Sequence, residues 1–232
     1  MPAQPSRIDA EPLESEPAAL RADARQNRDR ILDAAREAFA TRGLDVPMAA
    51  IARRAGVGVA TLYRRFPSRE SLVTEVFSDQ MQTCASVVDD ALLDPDPWHA
   101  FRVTIEKVCE MQVADQGFTA AFLTAFPDAI DYERVRECAE LGLAEVVRRA
   151  KEAGRLRADF DLADVILLLK ANQGIAAEPG EVARAGSRRL VAYLLESFRA
   201  EHAGPLPPAP PLKLDHVYGP AGAMRRGPSD AR

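Results

Sequence analysis

The chain has 232 residues, of which 47% are hydrophobic and 28% charged. These values are ordinary for a soluble globular protein. No apolar stretch is long enough to cross a bilayer, and the polar start of the sequence predicts no secretory signal.

The net charge of −5 is unevenly spread along the chain. Residues 21–70 hold 11 basic and 6 acidic residues, whereas residues 71–200 hold 14 basic and 22 acidic residues. A basic segment ahead of an acidic one is typical of a modular nucleic-acid-binding protein.

Apolar spacing predicts an all-α protein of about nine helices. Residues 1–23 are rich in Pro, Ala and Glu, and we expect a disordered arm there. Residues 24–70 are predicted to form a three-helix domain. Its predicted helices span residues 25–41, 47–55 and 59–66. Gly43 and Gly56 suit helix ends, and Pro47 suits a first helical turn.

Residues 71–203 are predicted to form a larger helical body. Ser68 is a good amino-terminal cap for its long fourth helix, and Asp96 followed by Pro97 begins the fifth. The remaining predicted helices span residues 118–125, 132–153, 162–176 and 181–200. Residues 204–232 are Pro-rich and lack helical periodicity, so we expect a disordered tail.

The cysteines Cys84, Cys109 and Cys138 are far apart and lie in apolar patterns. We expect buried, reduced thiols and therefore a cytoplasmic protein, with a redox role for one thiol as the alternative. The three histidines show no ligand spacing. The sequence predicts no metal site and no cofactor.

The most informative pattern is a short amphipathic helix, a glycine turn and a second short helix over residues 47–66. This helix-turn-helix pattern places its second helix in the DNA major groove. Leu62 and Phe66 are four residues apart and share the inward face. The opposite face carries residues suited to base edges and phosphates, namely Val59, Ala60, Thr61, Tyr63, Arg64 and Arg65. The alternative is an ordinary helical hairpin with a solvated basic face.

The string from Gly56 to Phe66, continued by Pro67-Ser68-Arg69, resembles the signature of the tetracycline-repressor (TetR) family. The resemblance is close over roughly residues 25–75 and architectural beyond them. It implies a homodimeric transcriptional repressor, not an enzyme, that a small-molecule effector releases from a palindromic operator in double-stranded DNA. Two positions depart from the commoner pattern. Gly58 stands where a capping Ser or Thr is frequent, and Arg65 stands where His is frequent.

The resemblance and the local chemistry together give three further groups of candidate site residues. Phosphate contacts are expected from Arg25, Asn27, Arg28 and Arg69. An effector cavity among the fourth to seventh helices, with simple core as the alternative, is expected to involve Phe77, Met81, Phe101, Ile105, Met111, Phe118 and Phe122. A two-fold dimer interface on the very apolar eighth and ninth helices is expected to involve Leu168, Leu190, Leu194, Leu195 and Phe198. Few ionisable residues fall on the apolar faces of the fourth to seventh helices, which favours an uncharged or largely apolar effector.

Two other functions stay open at this point. An all-helical enzyme would need a nucleophile–base pair, paired carboxylates, a phosphate loop or a metal cluster, and the sequence shows no such pattern. A DNA-binding regulator without ligand response would be distinguished by the lack of a cavity in the body.

Overall fold

The computed structural model describes residues 16–115, 117–202 and 204–218. Within these ranges the regular structure is helical, and extended pairing is limited to one isolated bridge between Leu156 and Arg199. The helices are α1 (Glu16–Arg42), α2 (Met48–Ala55), α3 (Val59–Arg65), α4 (Arg69–Leu93), α5 (Pro97–Asp115), α6 (Phe118–Ala125), α7 (Tyr132–Glu152), α8 (Leu162–Ala176), α9 (Gly180–Phe198) and α10 (Asp215–Tyr218), with a 3-10 turn at Ala200–His202. The predicted all-α fold is confirmed. In the described part of the chain, no helix is both long and apolar enough to cross a membrane.

Helix α1 begins at Glu16, inside the segment expected to be a disordered arm. The reason is local, because Pro17 is tolerated in a first helical turn and the next residues (Ala-Ala-Leu-Arg-Ala) are strong helix formers. The remainder of the predicted arm, residues 1–15, lies outside the described residues.

The segment 204–218, called the C-terminal segment below, also differs from the expected disordered tail. Val217 is buried, and Leu212 and Leu214 pack against the core of the body. A segment without helical period can still bury single apolar side chains, so helical spacing gave no signal for it. Residues 219–232 lie outside the described residues.

Two apolar clusters hold the helices together. The first joins α1, α2 and α3 to the start of α4 and to α6, and it includes Phe39, Leu62 and Phe77. The second joins the end of α4 to α5, α7, α8 and α9, and it includes Phe101 and Leu168. Burial of each large side chain contributes roughly 1.5–3 kcal/mol. Helix α4 takes part in both clusters and therefore joins the head (α1–α3) to the body, and α6 adds a second connection through the first cluster.

Side-chain caps fix where α4 and α5 begin, as the sequence predicted. Ser68 Oγ accepts a hydrogen bond from the Ser71 N–H at 3.0 Å, and Ser71 Oγ accepts one from the Ser68 N–H at 3.2 Å. Asp96 Oδ1 accepts a hydrogen bond from the Trp98 N–H at 3.0 Å. These caps satisfy amide groups that a helix leaves unpaired at its amino end.

The expectation that all three thiols are buried is wrong. Cys109 is buried, Cys84 is half-buried and Cys138 is exposed, and all three are free. Burial raises the pKa of the Cys109 thiol to about 12. Burial also raises the pKa of Cys84, with a smaller contribution from the charge of Asp115.

Candidate nucleic-acid interface and ligand cavity

The turn between α2 and α3 depends on Gly56. Its φ of 67° lies in the left-handed region, which glycine adopts without a steric penalty. The Val57 N–H donates to the Ala52 carbonyl at 3.0 Å, and the Gly56 N–H donates to the Arg53 carbonyl at 3.3 Å. This pair of bonds is the Schellman motif, and the Val57 side chain packs on the head cluster. The turn therefore fixes the angle at which α3 leaves α2.

Helix α3 has one buried and one open face. Leu62 and Phe66 are buried, as their spacing predicted. Val59 and Tyr63 are 43% and 47% exposed, which is high for large apolar or aromatic side chains. Thr61 is half-buried, and the other open positions are Ala60, Arg64 and Arg65. Gly58 provides no side-chain cap at the start of α3.

The open face of α3 meets residues 23–31 of α1 in one groove. The groove is lined by Asn27, Arg28, Thr61, Arg64 and Arg65, together with Asp23, Ala24 and Ile31. Within the described residues, the side chains of Arg25, Tyr63, Arg64 and Arg65 form no hydrogen bond or ion pair. The structure thus brings residues of two distant predicted groups together and leaves several of their donors available to an external anion.

Three of the predicted phosphate ligands have partners within the chain. Arg28 donates to the Glu75 carboxylate of α4, and this hydrogen bond raises the pKa of the arginine. Arg69 lies 3.3 Å from Asp45, in an ion pair that is open to solvent. Asn27 accepts a hydrogen bond from Arg30. Arg28 in particular ties α1 to α4, a role that its place in the sequence did not indicate.

A cavity of about 700 Å³ opens between α4, α5 and α7. The apolar wall is formed mainly by Met81, Val88, Val108, Met111, Val135 and Ala139. Two of the seven residues predicted for a cavity, Met81 and Met111, therefore line it.

The other five predicted cavity residues, Phe77, Phe101, Ile105, Phe118 and Phe122, lie in the two core clusters and do not line this cavity. The Phe77 and Phe122 rings stack with centroids 4.0 Å apart. Phe101 meets Phe160 edge-to-face, with centroids 5.4 Å apart. Helical spacing marks an inward face, but it does not distinguish core from cavity wall.

The C-terminal segment closes one side of the cavity. Leu214 lines it, and the Leu214 N–H donates to Glu140 Oε1 at 3.3 Å. Lys170 Nζ donates to the carbonyl oxygen of His216 at 2.7 Å. Contacts from both α7 and α8 therefore hold this wall in place.

Polar side chains gather at one end of the cavity, and sequence reasoning missed them. Asp115 Oδ1 accepts hydrogen bonds from Gln80 Nε2 at 2.7 Å and from Thr119 Oγ1 at 2.8 Å. Gln112 lies one turn before Asp115, and its Oε1 accepts a hydrogen bond from Asn172 Nδ2 at 2.9 Å. The available signal was the presence of Gln112 and Asp115 on the otherwise apolar inward face of α5.

The predicted dimer residues divide into two groups. Leu168 and Leu195 are buried within their own subunit, whereas Leu190, Leu194 and Phe198 are half-buried. Large apolar side chains that remain open on α8 and α9 include Leu167, Val182 and Tyr193, which are 44%, 61% and 61% exposed. Leu168 and Leu195 belong to the core of the chain, so the large apolar surface left open on α8 and α9 comes from these outer positions.

Comparison with known proteins agrees with this architecture. Residues 31–76 match the family model described as bacterial regulatory proteins, tetR family. Residues 96–200 match the model described as transcriptional regulator SbtR-like, C-terminal domain. The comparison with curated proteins gives no match.

Several solved structures resemble this chain over most of its length. The TetR transcriptional regulator SCO0520 from Streptomyces coelicolor is 31% identical, with 74% of this chain and 98% of that chain covered and a TM-score of 0.60. A TetR transcription regulatory protein from Mycobacterium vanbaalenii is 33% identical, with 78% and 99% covered and a TM-score of 0.57. The ketosteroid transcriptional regulator KstR2 of Mycobacterium tuberculosis shares the fold at 21% identity, with 74% and 94% covered and a TM-score of 0.55.

A helix-turn-helix head carried by an all-helical body defines a DNA-binding transcriptional regulator. With the family model on the head and two relatives above 30% identity, the chain belongs to the TetR family of transcriptional regulators.

Proposed function

We propose that this TetR-family regulator is a cytoplasmic homodimeric repressor, without enzymatic activity, that leaves a palindromic operator when a small molecule fills the cavity between α4, α5 and α7. The observation that carries this proposal is that α4 both lines the cavity and anchors the head. The cavity itself favours a ligand-responsive regulator over one without ligand response, since its volume is typical of small-molecule sites.

DNA reading is assigned to the open face of α3. Small side chains at its start, Val59 and Ala60, together with the Thr61 methyl group, can approach base edges. Tyr63, Arg64, Arg65 and, from α1, Arg25 supply donors for phosphate oxygens. Asn27 and Arg69 remain proposed phosphate contacts that would exchange their partners in the chain for DNA. Arg28 is assigned instead to the junction with α4.

The head is coupled to the cavity by the turns of α4 between them. Arg36 of α1 donates to Asp79 of α4 at 2.5 Å, and Arg28 pairs with Glu75 one turn earlier. Gln80, the residue after Asp79, borders the cavity and donates to Asp115 of α5. A ligand that displaces α4 from α5 would therefore also displace α1 and, through the shared core, α3.

The dimer proposal uses the outer faces of α8 and α9, where Leu167 and Tyr193 are open. A two-fold axis there would present two copies of α3 to successive major grooves, about 34 Å apart. A ligand that changes this separation needs only a few kcal/mol of preference for the altered state to empty the operator.

The test begins with selection of duplexes bound by the full chain from a random-sequence library. We expect an enriched palindrome with half-sites about one helical turn apart, and binding that weakens steeply with salt. Enrichment of no sequence, or of a single unrepeated half-site, would contradict the proposal of a homodimer on a palindrome.

A further inference from the structure

Two buried amide side chains, Gln112 on the wall of the cavity and Asn172 behind it, cannot satisfy each other's hydrogen-bonding groups. Gln112 is 6% exposed and Asn172 is fully buried. Asn172 Nδ2 donates to Gln112 Oε1 at 2.9 Å and to the Cys109 carbonyl at 3.2 Å. Gln112 Nε2 and Asn172 Oδ1 have no hydrogen-bond partner among the described residues.

Reversing both amides does not remove the problem. Gln112 Nε2 would then donate to Asn172 Oδ1, but the two opposite atoms would be unpaired and the bond to Cys109 would be lost. One donor and one acceptor stay unpaired in either arrangement, and an unpaired buried polar group is unfavourable. A ligand that forms the missing hydrogen bond would therefore remove part of this cost.

Gln112 is the member of the pair that borders the cavity, and its buried Nε2 atom would contact a ligand only after the amide turns towards the cavity. It borders the cavity beside Met111, whereas Asn172 lies behind it on α8 and does not line the cavity. Gln112 Nε2 is a donor, so the group that would complete it is a hydrogen-bond acceptor such as a carbonyl oxygen.

The charges near Gln112 disfavour an anionic ligand. Asp115 is one turn away on the same wall and is buried, so its carboxylate would repel another carboxylate with little screening from solvent. The rest of the lining adds the acidic residues Asp89 and Asp131 and two cationic ones, Arg134 and Arg136, of which Arg136 already pairs with Glu140 at 3.2 Å. Acidic residues therefore outnumber basic ones around the cavity by three to two. The remainder of the wall is mainly apolar.

We propose that the effector is an uncharged, largely apolar molecule whose ketone, ester or lactone carbonyl accepts a hydrogen bond from Gln112. This inference rests on the proposed function, because it names the chemical class that the effector cavity selects. A carboxylic acid of the same size and shape would be rejected through Asp115.

The test uses the full-length protein and the neutral dye Nile red, whose fluorescence rises in an apolar site. Decan-2-one and decanoate are matched competitors that differ in charge at one end. We expect decan-2-one to displace the dye with at least about tenfold higher affinity than decanoate. Equal displacement by the two compounds would overturn the proposal.

Two variants separate the contributions of the polar groups. Gln112→Met keeps the length of the side chain but removes the donor, and it should weaken decan-2-one binding about fivefold to tenfold, the value of one neutral hydrogen bond. Glu110→Leu, at an exposed position on α5, is the matched control and should leave that affinity unchanged. Asp115→Asn should raise the affinity for decanoate. Retention of full ketone affinity by Gln112→Met would overturn the assignment of the donor.

A measurement on the unmodified protein covers the case in which Gln112→Met does not fold. The infrared carbonyl band of bound ¹³C-labelled decan-2-one should lie at lower frequency than in hexane, because a donated hydrogen bond weakens the C=O bond. A band at its hexane position would overturn the proposal.

Failure of the proposed function has a different signature. In that case decan-2-one would bind with the expected dependence on Gln112, but no cavity ligand would change the affinity of the protein for its selected operator.

Discussion

The crossing of α4 and α7 makes a sharp prediction about Gly142. A Cβ atom added to Gly142 would lie 2.5 Å from Val88 Cγ1, whereas carbon atoms in contact are normally about 3.5–4.0 Å apart. Gly142→Ala must therefore separate the two helices by about 1 Å or force Val88 out of its preferred rotamer, which is stiff in a helix. Such overpacking costs about 1–3 kcal/mol.

An opposing effect sets the size of the observed change. Replacing glycine by alanine inside a helix stabilises it by about 1 kcal/mol. We therefore expect Gly142→Ala to lower the free energy of unfolding by up to about 2 kcal/mol, which corresponds to a fall in Tm of a few degrees for a chain of this size. Thermal unfolding at one fixed protein concentration measures it, since the stability of a dimer depends on concentration.

Two further variants isolate the contact. Ala144→Gly changes an exposed position in α7 and measures the effect of helix propensity alone. It should lower the free energy of unfolding by about 1 kcal/mol. Val88→Ala in combination with Gly142→Ala should recover stability relative to the sum of the two single changes. If Gly142→Ala alone is more stable than the natural chain by the full propensity difference, the close approach of α4 and α7 is refuted.

Three shorter predictions address the other surfaces. Arg64→Ala should weaken operator binding and reduce by about one the slope of log binding constant against log salt concentration. Arg102→Ala, on the body, is the control and should change neither quantity. An unchanged slope in Arg64→Ala would show that Arg64 does not contact a phosphate. Leu167→Glu should give a folded monomer in light scattering, because the Leu167 side chain is exposed in the single chain and the new charge would be buried only in the proposed dimer interface. A dimer that persists in this variant would place the interface elsewhere. Iodoacetamide at pH 8 should label the exposed Cys138 but not Cys109, because the Cys109 pKa of about 12 keeps that thiol neutral at this pH. Labelling of both cysteines in the folded protein would contradict the burial of Cys109.

Local features of this protein could be predicted from the sequence because their causes are local. The turn at Gly56, the two faces of α3 and the cap at Ser68 each depend on residues within one helical turn of one another. Helices α6 and α8 have the predicted bounds for the same reason, since glycine or aspartate marks their start.

The features that could not be predicted depend on partners far away in the chain. Arg28 has the chemistry of a phosphate ligand, and only the fold shows that Glu75 of α4 lies against it. Phe77 and Met81 are both apolar positions one turn apart on α4, yet one is core and the other cavity wall. The C-terminal segment has no period to recognise, and Leu214 gains its role only where α7 and α8 bring it to the cavity.

The central claim is that occupation of the cavity empties the operator through α4. The most direct measurement is the affinity of the full chain for its selected operator as a compound that displaces Nile red is added. We expect the operator Kd to rise at least tenfold, and operator-bound protein to bind the compound more weakly by the same factor, as linkage requires. An operator Kd that stays constant while the cavity becomes fully occupied would contradict the account.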